Sequence, residues 1–167
     1  INIDPKLIAG YGHLSIVQKD LNKLSEAQNS LEKLIRIAPN SELAYCNLGS
    51  IFLLQGNLIE AEKTTKKALN LNPNLYIANS NLGMILHSKS EFIGAELYLR
   101  KSISIQPNIP LAYSTLSIVF KGQNKLKEAE FVARKAISLD PKFFIAHSNL
   151  AKILLDQGKI KDAKDSW

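Results

Sequence analysis

Disulfide bonding, zinc binding and redox chemistry are the first functions this chain is too poor in residues to support. It has one cysteine (Cys46), one methionine and one tryptophan in 167 residues. A lone cysteine excludes an internal disulfide framework and fits a reducing compartment, so a cytoplasmic setting is expected. Cys46 has no basic neighbour in sequence to activate it, and its counterparts one repeat away are small residues, so it reads as another small core residue. The three histidines, His13, His87 and His147, stand in unrelated positions. No His-x-x-x-His pair or Cys–His cluster has the spacing that closes around a metal. No apolar run approaches the roughly 18 residues a bilayer-spanning helix needs, so no membrane insertion is expected. The Gly-x-Gly of "GYGH" at 10–13 follows no strand, as a phosphate cradle requires. Carboxylates such as Asp162 and Asp165 lie in a polar run, and no nucleophile, base and orienter can be assembled. We expect no catalytic residues, no metal, no cofactor and no enzymatic activity.

What the chain does have is a period. Five of its six prolines, Pro5, Pro39, Pro73, Pro107 and Pro141, are spaced 34 residues apart without insertion or deletion. A constant step between about 20 and 50 residues marks a solenoid. An alanine column keeps the same step through Ala27, Ala61, Ala95, Ala129 and Ala163. So do Leu14, Leu48, Leu82, Leu116 and Leu150, followed by a small column of Ser15, Gly49, Gly83, Ser117 and Ala151.

Each unit reads as helix, turn, helix. In "ELAYCNLGSIFLLQGN" the apolar residues recur at three- and four-residue steps, giving one apolar helix face. Gly56-Asn57 punctuates that helix, as Asn124 and Gly158 do later. "LIEAEKTTKKALNLNP" resumes the helical period and stops at Pro73, which lacks an N–H and disfavours helix in the residue before it. Gly49 with Ala61, and Gly83 with Ala95, are placed to let the paired helices approach closely. The frame gives complete units at 8–41, 42–75, 76–109 and 110–143, with 144–167 as a fifth unit cut inside its second helix. Residues 1–7 match the closing segment of a preceding unit, so the chain reads as a stretch of a longer array. No initiator methionine is present from which to read a targeting peptide.

The net charge of +6 invites a nucleic-acid reading, but its distribution disfavours one. Lys33, Lys67, Lys101 and Lys135 form one column, and Glu62–Lys66, Glu96–Arg100 and Glu130–Arg134 are spaced four apart. Such pairs belong on a solvated helix face.

The 34-residue length, the aromatic-x-x-Leu-Gly/Ala opening, the central alanine and the late proline resemble the tetratricopeptide repeat over essentially the whole chain. The resemblance implies an all-α, right-handed superhelix serving as a protein-binding scaffold. The opening aromatic is Tyr11, Tyr45 and Tyr113, with Asn79 and His147 in the other units, where looser packing is expected. An RNA-binding helical repeat fits less well, because its units run about a residue longer.

The residue before each column leucine is His13, Asn47, Asn81, Thr115 or Asn149. If leucine points into the helix pair, its predecessor, about 100° round the helix, faces elsewhere. In the resembled family it faces the concave groove. An asparagine there offers a donor and an acceptor to a peptide backbone amide. Asn47, Asn81 and Asn149 resemble the asparagine ladder of the O-linked N-acetylglucosamine transferases, whose repeats "IAHSNLAKILLDQGK" also resembles; His13 and Thr115 depart from it. That resemblance also implies a substrate-presenting arm of a transferase. Alternatively, these asparagines bond the neighbouring helix. A clamp for a chain-terminal carboxylate is not expected, because the adjoining groove columns hold Ala9, Leu43, Ile77, Leu111 and Ile145, and Gly12 through Ser148. A protein or extended peptide is the expected partner. Self-association is a further expectation, because Leu150, Ile153, Leu154, Ile160 and Ala163 lack a following unit to cover them. Trp167, in the column of Leu31 and Leu99, is expected to fold back over part of that surface.

Overall fold

A computed structural model describes residues 5–164, with side chains over 7–163. Among the described residues it is all-helical: α1 (Pro5–Asp20), α2 (Leu24–Ile37), α3 (Glu42–Leu54), α4 (Leu58–Leu71), α5 (Tyr76–Ser88), α6 (Phe92–Ile105), α7 (Pro110–Gly122), α8 (Leu126–Leu139), α9 (Phe144–Asp156) and α10 (Ile160–Lys164). These are consecutive helix-turn-helix pairs of an α-solenoid. The first helix of each pair is called A here and the second B. The chain forms two compact units, one ending at Asn81 and the other beginning at Leu82.

In the first unit, Leu31 and Leu34 of α2 pack with Ala44, Leu48 and Ile51 of α3. The α3–α4 crossing is closest at Gly49, where an added Cβ would meet Thr65 Oγ1 and, at 3.3 Å, the carbonyl of Ala61. The second unit repeats this at Gly83, whose Cβ would lie 2.5 Å from Leu99 Cγ and 3.3 Å from the carbonyl of Ala95. All five column alanines are buried. Small residues here are a packing requirement, since neither backbone has room to retreat.

The A-to-B turns share one backbone solution. Asn22, Gly56, Ser90, Asn124 and Gly158, one per repeat, all take positive φ, between 58° and 76°. Glycine and asparagine tolerate that region, and Ser90 does so at a cost of about 1–2 kcal/mol. Ser90→Gly should therefore stabilise the protein by about 1 kcal/mol, and thermal unfolding would show this as a raised midpoint. An unchanged or lowered midpoint would mean the Ser90 side chain contributes something glycine cannot.

Several expectations are revised. Leu150, Ile153, Leu154 and Ala163 are buried, at 4% exposure or less, because they point into the packing of α9 with its neighbouring helices; only Ile160 of that set faces out. Helix α1 also exposes apolar side chains: Leu7, Leu14, Ile16 and Val17 are 42–54% exposed. Column residue Leu14 is therefore open, unlike its four counterparts. The helix around Pro5 also differs: α1 begins at Pro5, whereas α3, α5, α7 and α9 begin three residues after their prolines. Proline at a first helical position loses no hydrogen bond, so nothing local prevents the extension. Trp167 lies outside the described residues. Asn79 is not loosely packed: it is fully buried, and Nδ2 donates to the carbonyls of Pro73 at 3.1 Å and Leu75 at 3.0 Å. His147 makes the equivalent link, Nε2 to the carbonyl of Pro141 at 3.0 Å. In both units a polar tether to the preceding turn replaces ring packing.

The second unit carries charged pins between consecutive B helices. Glu96 on α6 pairs with Arg100 at 2.9 Å and with Lys125, at the head of α8, at 3.2 Å. Glu130 on α8 pairs with Arg134 and with Lys159, at the head of α10, both at 2.8 Å. Hydrogen bonds from Lys159 and Arg134 hold the Glu130 carboxyl at about 2, against the opposing effect of burial. For Glu96 burial pushes upward, but bonds from Gln123, Arg100 and Lys125 leave it below the usual value. A depressed carboxylate pKa stabilises the fold above the ordinary value, and that contribution disappears as pH falls toward the folded value. Glu130→Gln should therefore lower the melting temperature at neutral pH, and the difference from the parent should close between about pH 4.5 and about pH 2. A constant difference across that range would mean the carboxylate charge is not what the pin uses.

Candidate functional site

Cys46 offers no chemistry. It is fully buried, and burial pushes its thiol up to about 12, with the Asn81 hydrogen bond working only weakly the other way. Among the described residues no group of His, Cys, Asp and Glu is placed to hold a metal, and no helix is long and apolar enough to cross a membrane. The column lysines Lys33, Lys67, Lys101 and Lys135 are exposed on the B helices, where all three Glu-to-base pairs also form.

The A helices carry a different surface. The asparagine column lies on them one helical turn after a second column. In the first unit, Leu43 precedes Asn47 and Ile77 precedes Asn81; in the second, Leu111 precedes Thr115 and Ile145 precedes Asn149. Residues four apart share a helix face. Leu43 is 51% exposed and Ile77, Leu111 and Ile145 are 37–39% exposed. Each of these helices thus exposes an aliphatic side chain, with a polar one a turn later that is half-buried at Asn47 and Asn149 but buried at Asn81 and Thr115. In the sequence this aliphatic column stands out only for its lack of cations, and nothing in its spacing marks it as a surface.

The polar column behaves unevenly. Asn81 Nδ2 points back to α3, 3.4 Å from the carbonyl of Cys46 and 3.6 Å from its Sγ. Asn149 Nδ2 does the same toward α7, 3.3 Å from the carbonyl of Ser114 and 3.0 Å from its Oγ. Both amides therefore brace the preceding A helix through their donors; Asn81 is buried at 6% exposure, whereas Asn149 is half-buried. Thr115 turns its hydroxyl back to the carbonyl of Leu111 at 2.9 Å. Asn47 is half-buried and makes no hydrogen bond among the described residues, so its whole carboxamide is available; His13 is exposed. Asn47 and Asn81 belong to the first unit, where Asn81 bonds the residue next to Asn47, and Thr115 and Asn149 belong to the second, where Asn149 bonds the residue next to Thr115.

A helical hairpin repeated at this step has known counterparts. Models of the tetratricopeptide repeat match residues 8–41, 77–109 and 111–143, residues 43–75, and residues 132–165. No curated protein sequence matches the chain. Solved structures show the same fold at low identity. MamA (residues 41 to the end) from Desulfovibrio magneticus RS-1 is 21% identical, with a TM-score of 0.79 over 98% of this chain and 92% of that one. PilF of Pseudomonas aeruginosa is 18% identical, with a TM-score of 0.85 over 96% and 73%. YrrB, described as a TPR protein with an unusual peptide-binding site, is 18% identical, with a TM-score of 0.69 over 93% and 80%. With three of its five units matched by a single model and the remainder by related ones, the chain belongs to the tetratricopeptide repeat family.

Proposed function

We propose that the protein is a non-enzymatic scaffold whose A-helix face binds a partner protein through an extended segment. The observation that carries this is the pairing of an exposed aliphatic with a carboxamide one turn later, as in Leu43/Asn47 and Ile77/Asn81. Neighbouring packed helices lie about 8–10 Å apart and an extended chain advances about 3.3 Å per residue. One repeat then engages about every third ligand residue. The aliphatic receives an apolar side chain, and the carboxamide meets the ligand backbone without reading its sequence. The asparagine column supports the same mode of binding as in the transferases it resembles, and a transferase arm that presents substrate would use this face too. The peptide-binding site of YrrB is in keeping with a peptide ligand.

The test uses Asn47, because it makes no internal hydrogen bond to lose. With a fluorescent extended peptide carrying leucine at every third position, Asn47→Ala should weaken binding by about 0.5–1.5 kcal/mol and leave the melting temperature unchanged. Asn81→Ala, which also removes a brace to α3, should lower both. If Asn47→Ala binds normally while Asn81→Ala only melts early, the column braces the solenoid and the ligand backbone is met elsewhere.

A further inference from the structure

The first unit also holds a trough between its B helices, at a place where the equivalent ring of the second unit is covered. It measures about 660 Å³ and lies between α2 and α4, floored by Tyr45, Leu48 and Phe52 of α3, with Ile35 on the α2 wall. In the second unit the same register places Phe120 between α6 and α8, and there the ring is covered. Arg100 and Lys125 each sit 5.5 Å from its centroid, held by the Glu96 carboxylate between them, and Phe120 is 3% exposed. The first unit replaces all three parts of that lid: Gln28 stands for Glu96, Glu32 for Arg100 and Asn57 for Lys125. Gln28 instead donates to Glu32 at 2.9 Å, Asn57 caps α4, and Phe52 is only half-buried.

The rim has a sign. Of its acids, Glu60 is paired with Lys63 at 3.3 Å, while Glu32 accepts a hydrogen bond from the neutral Gln28 amide and keeps its charge, which the two cations Arg36 and Lys67 together outweigh. Lys66 is paired with Glu62. Arg36 and Lys67 remain without a carboxylate among the described residues, and Lys67 lies 6.0 Å from the Tyr45 ring centroid. In the second unit Ser104 stands where Arg36 does, so the extra cation, like the open ring, is particular to this trough. The floor residues Tyr45, Leu48 and Phe52 are spaced three and four apart, a stripe about 10 Å long with a helix on either side. Such a trough accepts a helix lengthwise, its apolar side chains spaced to match.

We propose that this trough is a second docking site, taking an acidic amphipathic helix of a partner protein. The helix seats apolar side chains on Tyr45, Leu48 and Phe52 and turns carboxylates toward Arg36 and Lys67. The surface is separate from the A-helix face, so the two sites can be occupied independently.

Fluorescence anisotropy tests this with a labelled peptide of about 15 residues, roughly four helical turns, with leucines at helical spacing and flanking glutamates. The control is the same peptide with lysine for glutamate. The acidic peptide should bind, and more weakly as salt rises, with the lysine version at least about tenfold weaker. Two variants locate the site. Arg36→Glu with Lys67→Glu alters exposed side chains only. Gln28→Glu with Glu32→Arg and Asn57→Lys installs the lid of the second unit over Phe52. The charge reversal should weaken the acidic peptide at least about tenfold. The lid, which adds two positive charges, should weaken it at high salt, where those charges are screened and the covered ring decides. In both variants the helical circular dichroism is retained and the extended peptide of the A-helix face binds as before. Leu43→Asp should leave the acidic peptide unaffected, which separates failure of this site from failure of the other. Equal binding of acidic and basic peptides, full binding to the charge-reversed variant, or no saturable binding up to about 1 mM would overturn the proposal.

Discussion

Gly49→Ser should destabilise the protein by about 2 kcal/mol, and adding Thr65→Ala should recover most of that loss. A Cβ at position 49 runs into Thr65 Oγ1, with the Ala61 carbonyl and the Thr65 amide nitrogen each 3.3 Å away. The two backbone atoms cannot move without opening the crossing, so only the threonine can give way. One unit already shows the compensated form: Ser117 and Ala133, both fully buried, occupy the positions of Gly49 and Thr65 two repeats later. Thr65→Ala alone should be mild, about 1 kcal/mol or less, because the lost methyl is offset by removing a buried hydroxyl that has no partner. For a chain of this size the Gly49→Ser loss corresponds to a fall of about 4–8 °C in the melting temperature. A double variant as unstable as Gly49→Ser alone would show that the backbone, and not the threonine, limits the approach.

The largest effect on binding is expected from the aliphatic column. Leu43→Asp together with Ile77→Asp should weaken an extended apolar peptide by about 2–4 kcal/mol, or roughly 30- to 1,000-fold. Each side chain has about half its surface or less still open, so covering it with a ligand is worth about 1 kcal/mol. An aspartate in its place must also be desolvated against the ligand, which raises the loss. Neither residue belongs to the fully buried core, so the helical signal should hold, with only a moderate fall in the melting temperature from the apolar surface each still buries. Equal binding by parent and variant would remove the aliphatic column from the site.

How much of this was legible in the sequence varied with how local the cause was. The alanine column and the Gly49 and Gly83 crossings were readable because each repeats a steric need at a fixed step. The left-handed turn was readable at Gly56, Asn124 and Gly158 but not at Ser90, whose residue type gives no sign of it; only the period does. The burial of Leu150, Ile153 and Leu154 was not legible because their spacing gives a helix face but not which neighbour that face packs against. Asn81 and Asn149 were readable as one column, but the direction of their amides depends on a carbonyl a repeat earlier, beyond what spacing specifies. The trough over Phe52 was least legible. It depends on three substitutions, at 28, 32 and 57, whose meaning appears only beside the covered Phe120.

The central claim is that the A-helix face receives an extended ligand, and the most direct measurement is a titration followed by nuclear magnetic resonance. Isotope-labelled protein would be titrated with the unlabelled leucine-repeat peptide, recording backbone amides and asparagine side-chain amides. The account predicts that the side-chain amides of Asn47 and Asn81 and the backbone amides of Leu43 and Ile77 shift together, with one saturation curve, while Lys33, Lys101 and Lys135 on the B helices stay still. Shifts confined to the B helices, or none at these four residues up to about 1 mM peptide, would contradict it.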